Sequence, residues 1–243
     1  MEINVTDDSL ELISSYLSPV SRLNLAALNE QFYYACTVWR DVKTIVFDID
    51  DITLAAPNMV HKYVYSSIDR MTSIRTALKM CPGIKRLIIQ AKLKESDISV
   101  LNENPSLISK LYISTENLGL QDFPVFKRLR TLHIVANSMK EYRVMNTIGP
   151  KILQSAFPMC LRRICLTDVY LTSNLIEYLS TLPNLTYLDL IGCLVDTNVA
   201  PKYIESLEKC QSLEELSLPP SFFSFTTSNR KLDADKKISF KKT

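Results

Sequence analysis

One spacing of apolar side chains dominates this chain: an apolar residue, a second three positions on, and a third two positions after that. It starts at Val42 (with Ile45 and Phe47), Val60 (Tyr63, Tyr65), Ile84 (Leu87, Ile89) and Ile108 (Leu111, Ile113). It returns at Leu129 (Leu132, Ile134), Leu161 (Ile164, Leu166), Leu185 (Leu188, Leu190) and Leu213 (Leu216, Leu218). The starts are 18, 24, 24, 21, 32, 24 and 28 residues apart. In an extended chain the last two apolar positions share one face of a short strand, and the first anchors the turn that enters it. Between strands, residues 73–80 and 175–182 place apolar side chains at i, i+3 or i+4, which predicts helices. A single such unit cannot bury its face, so the units must stack with their strands parallel and their helices on the other side.

These periods fall around the ~20–29 residues of a leucine-rich repeat. Cys81, Cys160 and Cys210 stand just ahead of strand starts, and Cys193 follows Leu190 where such repeats carry Asn or Cys to satisfy buried backbone in the turn. From Val42 to Leu218 the chain therefore resembles the cysteine-containing leucine-rich-repeat family. The resemblance implies an α/β fold, a leucine-rich-repeat solenoid with parallel β-strands on its concave face and helices outside. After Pro219 the pattern is lost. Phe222, Phe223 and Phe225 are placed to cap the last repeat, and residues 221–243 read as a basic, flexible tail.

Residues 1–41 follow a different rule. From Val5 to Pro19 the chain reads as a capped helix with Leu10, Ile13 and Leu17 on one stripe, stopped by Ser18-Pro19. A second helix from Val20 carries Leu23, Leu25, Leu28 and Phe32, and a further turn begins near Tyr33 and leads to Trp39. So short a segment makes too small a core to stand alone. With the Ile13–Pro19 stretch, the three leucines that follow and Trp39-Arg40 at the close, this trio resembles an F-box preceding a repeat domain at 42–220. Thr6 stands where that family has proline, Arg22 where leucine is common, and Phe32 where tryptophan is common. The resemblance implies that Val5, Leu10, Ile13, Leu17, Pro19, Leu23, Leu25, Leu28 and Phe32 dock a Skp-type adaptor and, through it, a cullin. The chain would then be a non-catalytic substrate receptor of a ubiquitin ligase. The alternative is a protein-interaction scaffold in which the same helices only cap the open edge of the solenoid.

Charge narrows the partners. The net charge is +2, but six cations oppose two aspartates after residue 229, so that stretch carries +4 and the rest −2. A slightly acidic body is a poor match for sequence-independent nucleic-acid binding. The outward strand positions supply two columns instead. One runs Val46, Val64, Ile88, Tyr112, His133, Cys165, Asp189, Ser217, and its neighbour runs Thr44, Lys62, Arg86, Lys110, Thr131, Arg163, Tyr187, Glu215. Lys62, Arg86, Lys110 and Arg163 beside Ile88, Tyr112, His133 and Tyr187 form a basic, aromatic ledge suited to an acidic or phosphorylated peptide. Equally, basic side chains on short strands keep an exposed sheet face soluble.

Enzyme chemistry finds little support, and no cofactor is implied. Asp48 and Asp50 after an apolar strand resemble a haloacid-dehalogenase start, but Ile52 stands where that motif needs Thr or Val. Four glycines are few for a phosphate-binding enzyme of 243 residues. His61 and His133 lie in different repeats without metal-ligand spacing, and Cys165 has no base near it in sequence. The six cysteines form no CxxC pair, the start Met-Glu-Ile-Asn-Val is not that of a secretion signal, and no apolar run approaches the ~18 residues of a membrane span. These features predict reduced thiols and a cytoplasmic or nuclear protein without a membrane partner.

Overall fold

A computed structural model describes residues 6–17, 19–37, 39–40, 42–47, 51–55, 63–66, 75, 78–90, 92–103, 108–118, 126–136, 158–196, 198, 200–219, 222 and 237–239. The chain divides into two compact units, Met1–Leu107 and Ile108–Thr243.

The first unit opens with three helices, α1 (Asp7–Ser15), α2 (Pro19–Ala26) and α3 (Glu30–Thr37). Thr6, which departs from the F-box pattern, is the N-cap of α1, and its hydroxyl accepts the Ser9 N–H. The continuous stripe from Leu23 to Phe32 predicted one helix, whereas the chain breaks after Ala26. Asn29 is the reason: its Oδ1 accepts the Phe32 N–H at 2.9 Å and starts a separate helix. Trp39 is fully buried beneath the trio. Its indole N–H donates to the Cys36 carbonyl, and its backbone N–H donates to Met80 O at 2.6 Å, tying the helices to the chain that enters the next strands.

In this unit β1 (Thr44–Phe47) and β4 (Arg86–Ile89) pair in parallel, with Thr44 opposite Arg86 and Val46 opposite Ile88. The repeat predicted at Val60 is corrected. Tyr63 and Tyr65 lie in β3 (Tyr63–Ser66), which pairs antiparallel with β2 (Asp51–Ala55), itself antiparallel to β1. Only residues 48–50 join β1 to β2, too few for a parallel crossover of about a dozen residues or more. The shortest spacing in the series thus holds a meander instead of a repeat. Helix α4 (Glu95–Asn102) follows β4.

The second unit keeps the predicted order. Strands β5 (Lys110–Ser114), β6 (Thr131–Val135), β7 (Arg163–Thr167), β8 (Tyr187–Asp189) and β9 (Glu215–Ser217) pair in sequence, all parallel. The leading apolar residues Leu129, Leu161, Leu185 and Leu213 each donate a backbone N–H to the carbonyl three positions earlier, closing one turn per strand. Leu111, Leu132, Ile164, Leu188 and Leu216 form a buried column across the sheet. Burying each side chain is worth about 1.5–3 kcal/mol as an upper estimate. The helices are α5 (Thr115–Leu118), α6 (Ser173–Ser180, capped by Thr172) and α7 (Ala200–Glu208). Cys193 does what its place in the repeat suggested, donating its thiol to Leu166 O at 3.2 Å. None of the six cysteines forms a disulfide.

In the tail, Lys237–Ser239 form β10, antiparallel to β9, and Phe222 is buried, in keeping with its expected place at the end of the repeats. No helix among the described residues is long and apolar enough to cross a membrane. The chain is an α/β protein built on parallel strands.

Candidate functional site

Strand register sets the outward columns of the second unit without interruption. Lys110, Thr131, Arg163, Tyr187 and Glu215 lie opposite one another in turn, and so do Tyr112, His133, Cys165, Asp189 and Ser217. Side chains of the first column are exposed or half-buried, as are those of the second up to Asp189, while Ser217 is buried. The Tyr112 and His133 rings meet edge to face at 5.2 Å, and His133 Nε2 lies 3.2 Å from Thr167 Oγ1. The Arg163 guanidinium sits 4.3 Å from the centre of the Tyr187 ring, whose hydroxyl donates to Asp189 Oδ2 at 3.4 Å. An arginine stacked this way keeps its N–H groups turned outward and loses little freedom on binding.

Two groups on this face resist charging. Burial lowers the His133 pKa, with Asp189 pulling the other way, and burial also raises the Cys165 pKa, helped by Asp189 and opposed by Arg163. The sheet does bring His133 beside Cys165, which the linear spacing had hidden. Yet a thiol pushed upward is a poor nucleophile. No metal-binding cluster of His, Cys, Asp and Glu occurs among the described residues.

The direction of the His133 shift fixes a pH effect. A histidine whose folded pKa lies below its ordinary value of 6.5 contributes stability that is full above that value and is lost as pH falls below it. Urea midpoints measured between about pH 5 and pH 8 should therefore fall more steeply on the acid side for the natural chain than for His133→Gln. Parallel profiles would contradict the assignment.

The first unit holds the rest. Arg86 and Ile88 lie on β4, half-buried, beside Thr44 and Val46 of β1. Lys62 and Val5 lie outside the described residues, as do His61, Asp48 and Asp50 of the enzyme readings, and the side chains of Pro19 and Leu23 are likewise not described.

Among the helices, Ile13 (49% exposed) and Leu28 (69%) face solvent, whereas Leu17, Leu25 and Phe32 are half-buried. Leu10 is corrected: at 3% exposure it packs inward and has no surface to offer a partner. Sequence reasoning missed Leu12, Tyr16, Tyr33 and Tyr34, all large and exposed, with the last two rings edge to face at 5.7 Å. Leu12 and Tyr16 are four apart, and that i, i+4 spacing was the available signal.

Arg22 accounts for its own departure from the family pattern. It is buried, its Nε and Nη2 donate to the carbonyls of Leu17 and Ser15 at 3.1 Å each, and its guanidinium lies 5.4 Å from the Trp39 ring centre. A cation there meets the unpaired carbonyls at the C-terminal end of α1, where the helix dipole favours positive charge.

No protein-family model matches the chain, and no curated protein matches it.

Proposed function

We propose that this chain is a non-catalytic substrate receptor of a cullin-type ubiquitin ligase: its helical trio docks a Skp-type adaptor, and the strand face of its repeats holds a protein substrate. The observation that carries the reading is where the apolar surface lies. Leu12, Ile13, Tyr16, Leu28, Tyr33 and Tyr34 are all exposed within one short helical segment, while Trp39 and Arg22 hold that segment in a fixed arrangement from inside. Apolar surface of this kind, presented on a preorganised element, is what a protein partner covers. The resemblance of the segment to an F-box names the adaptor as that partner.

A second reading, an interaction scaffold with no ligase role, is favoured by the Trp39 N–H bond to Met80 O, since that bond makes the trio part of the first unit's packing, as a plain cap requires. Titration of the purified full chain with a Skp-type adaptor decides between them. Saturable binding at micromolar or tighter concentration supports the receptor. A folded chain that captures no adaptor leaves the scaffold.

A further inference from the structure

We propose that the strand-entry edge of the second unit is a binding site for an unphosphorylated acidic run, a stretch of consecutive Asp or Glu in a protein partner. This names the substrate class for the repeat face and rests on the reading of that face as the substrate site.

The backbone builds the site. At each strand entry two successive N–H groups converge on one carbonyl of the preceding strand: Arg130 and Thr131 on Ser109 O, Arg162 and Arg163 on Arg130 O, Thr186 and Tyr187 on Arg162 O, Glu214 and Glu215 on Thr186 O. This repeated clasp aligns a third column, Ser109, Arg130, Arg162, Thr186, Glu214, beside the column that holds Lys110 and Arg163. Arg130 and Arg162 therefore stand at the entries of neighbouring strands, which run about 4.8 Å apart. Lys110 and Arg163 lie in the adjoining column, Lys127 and Arg128 fall in the turn that leads into Arg130, and every one of these cations is exposed.

Among the described residues the strands that carry them offer no acid to pair with. Residues 108–114, 126–136 and 158–167 contain no Asp or Glu, and none of the six cations forms an ion pair among the described residues. The charge also has an edge. Thr186 and Tyr187 at the entry of β8 are neutral, and Glu214 and Glu215 fill the same two columns at the entry of β9. A polyanion sliding across the strands is attracted at β5 to β7 and repelled at β9, so it is held in one place.

The spread of the cations selects the ligand. A single phosphate is best held by donors converging on one point. Here the cations are laid out over three strands, roughly 10 Å, which matches the reach of carboxylates distributed along an extended chain rising about 3.3 Å per residue. Arg130 and Arg162 were not legible as candidates, because they sit one position before the strand, where the alternation of faces has not begun.

The test uses the full chain and fluorescence anisotropy with three labelled probes: an oligoglutamate peptide, a neutral peptide carrying one phosphoserine, and an oligothymidylate. The oligoglutamate should bind most tightly and weaken as salt rises from about 50 to about 300 mM. Arg130→Glu with Arg162→Glu should reduce its affinity about tenfold or more, while Lys202→Glu with Lys209→Glu, exposed cations at α7, should leave it unchanged. Tighter binding of the phosphopeptide or of the oligothymidylate, or an oligoglutamate affinity indifferent to the Arg130 and Arg162 reversals, overturns the proposal. Adaptor titration on the same samples separates the two readings: loss of the acidic probe with adaptor capture intact is a failure of this site alone, and the converse is a failure of the ligase reading alone.

Discussion

Arg22→Leu should destabilise the helical trio by about 2–4 kcal/mol, even though leucine is common at this place in the F-box pattern the segment resembles. The buried guanidinium makes two charge-assisted bonds, to Leu17 O and Ser15 O, and lies over the Trp39 ring. Leucine fills the volume but leaves those helix-end carbonyls without these donors. Removing a buried charge recovers some desolvation cost, which holds the expected loss below the sum of the two charge-assisted bonds and the ring contact. Trp39→Ala should cost about 3–5 kcal/mol, as for any large buried aromatic, and the double variant should show a coupling of about 0.5–2 kcal/mol because the two side chains touch. Trp39 is the only tryptophan, so its fluorescence in Arg22→Leu reports on this segment and not on the repeats. A fluorescence midpoint in urea that matches the natural chain would show that Arg22 holds nothing.

This position also shows where a sequence stops being informative. In the linear pattern Arg22 reads as a flaw in an apolar stripe. Only the fold reveals that the end of α1 needs a cation there. The second unit lies at the other extreme: the spacing of Leu132 and Ile134, or of Ile164 and Leu166, is set by the two-residue period of a strand, so its outward columns could be listed residue by residue and the register of β5 to β9 agrees with them. The same pattern is blind to strand direction. Tyr63 and Tyr65 alternate as a repeat strand would, and only the short chain between β1 and β2 betrays an antiparallel meander. It is blind as well to which apolar residues of a small amphipathic helix turn inward. Leu10 and Ile13 share a stripe, yet one is core and the other surface, because a stripe wider than the available core must leave one edge outside. Arg130 and Arg162 were hidden for a third reason: the clasp at each strand entry is a tertiary hydrogen-bond pattern without a residue-type signature.

The division between Leu10 and Ile13 gives the adaptor-docking proposal its sharpest consequence. Ile13→Glu together with Leu28→Glu should leave the fold intact, since both side chains are about half exposed or more and neither fills a cavity. The same pair should weaken adaptor binding by about a hundredfold or more, because each substitution both removes apolar contact and buries a carboxylate against an apolar partner. Leu10→Ala should do the reverse. It opens a hole in the core of the trio and costs about 2–5 kcal/mol of stability, with adaptor affinity falling only as far as the folded fraction falls. Circular dichroism and Trp39 fluorescence follow the fold while adaptor titration follows the interface, so each variant is read on both axes. A double glutamate variant that binds adaptor as the natural chain does would remove this surface from the interface. One that unfolds would show that the exposed apolar residues support the packing of the first unit, which is the behaviour of a cap.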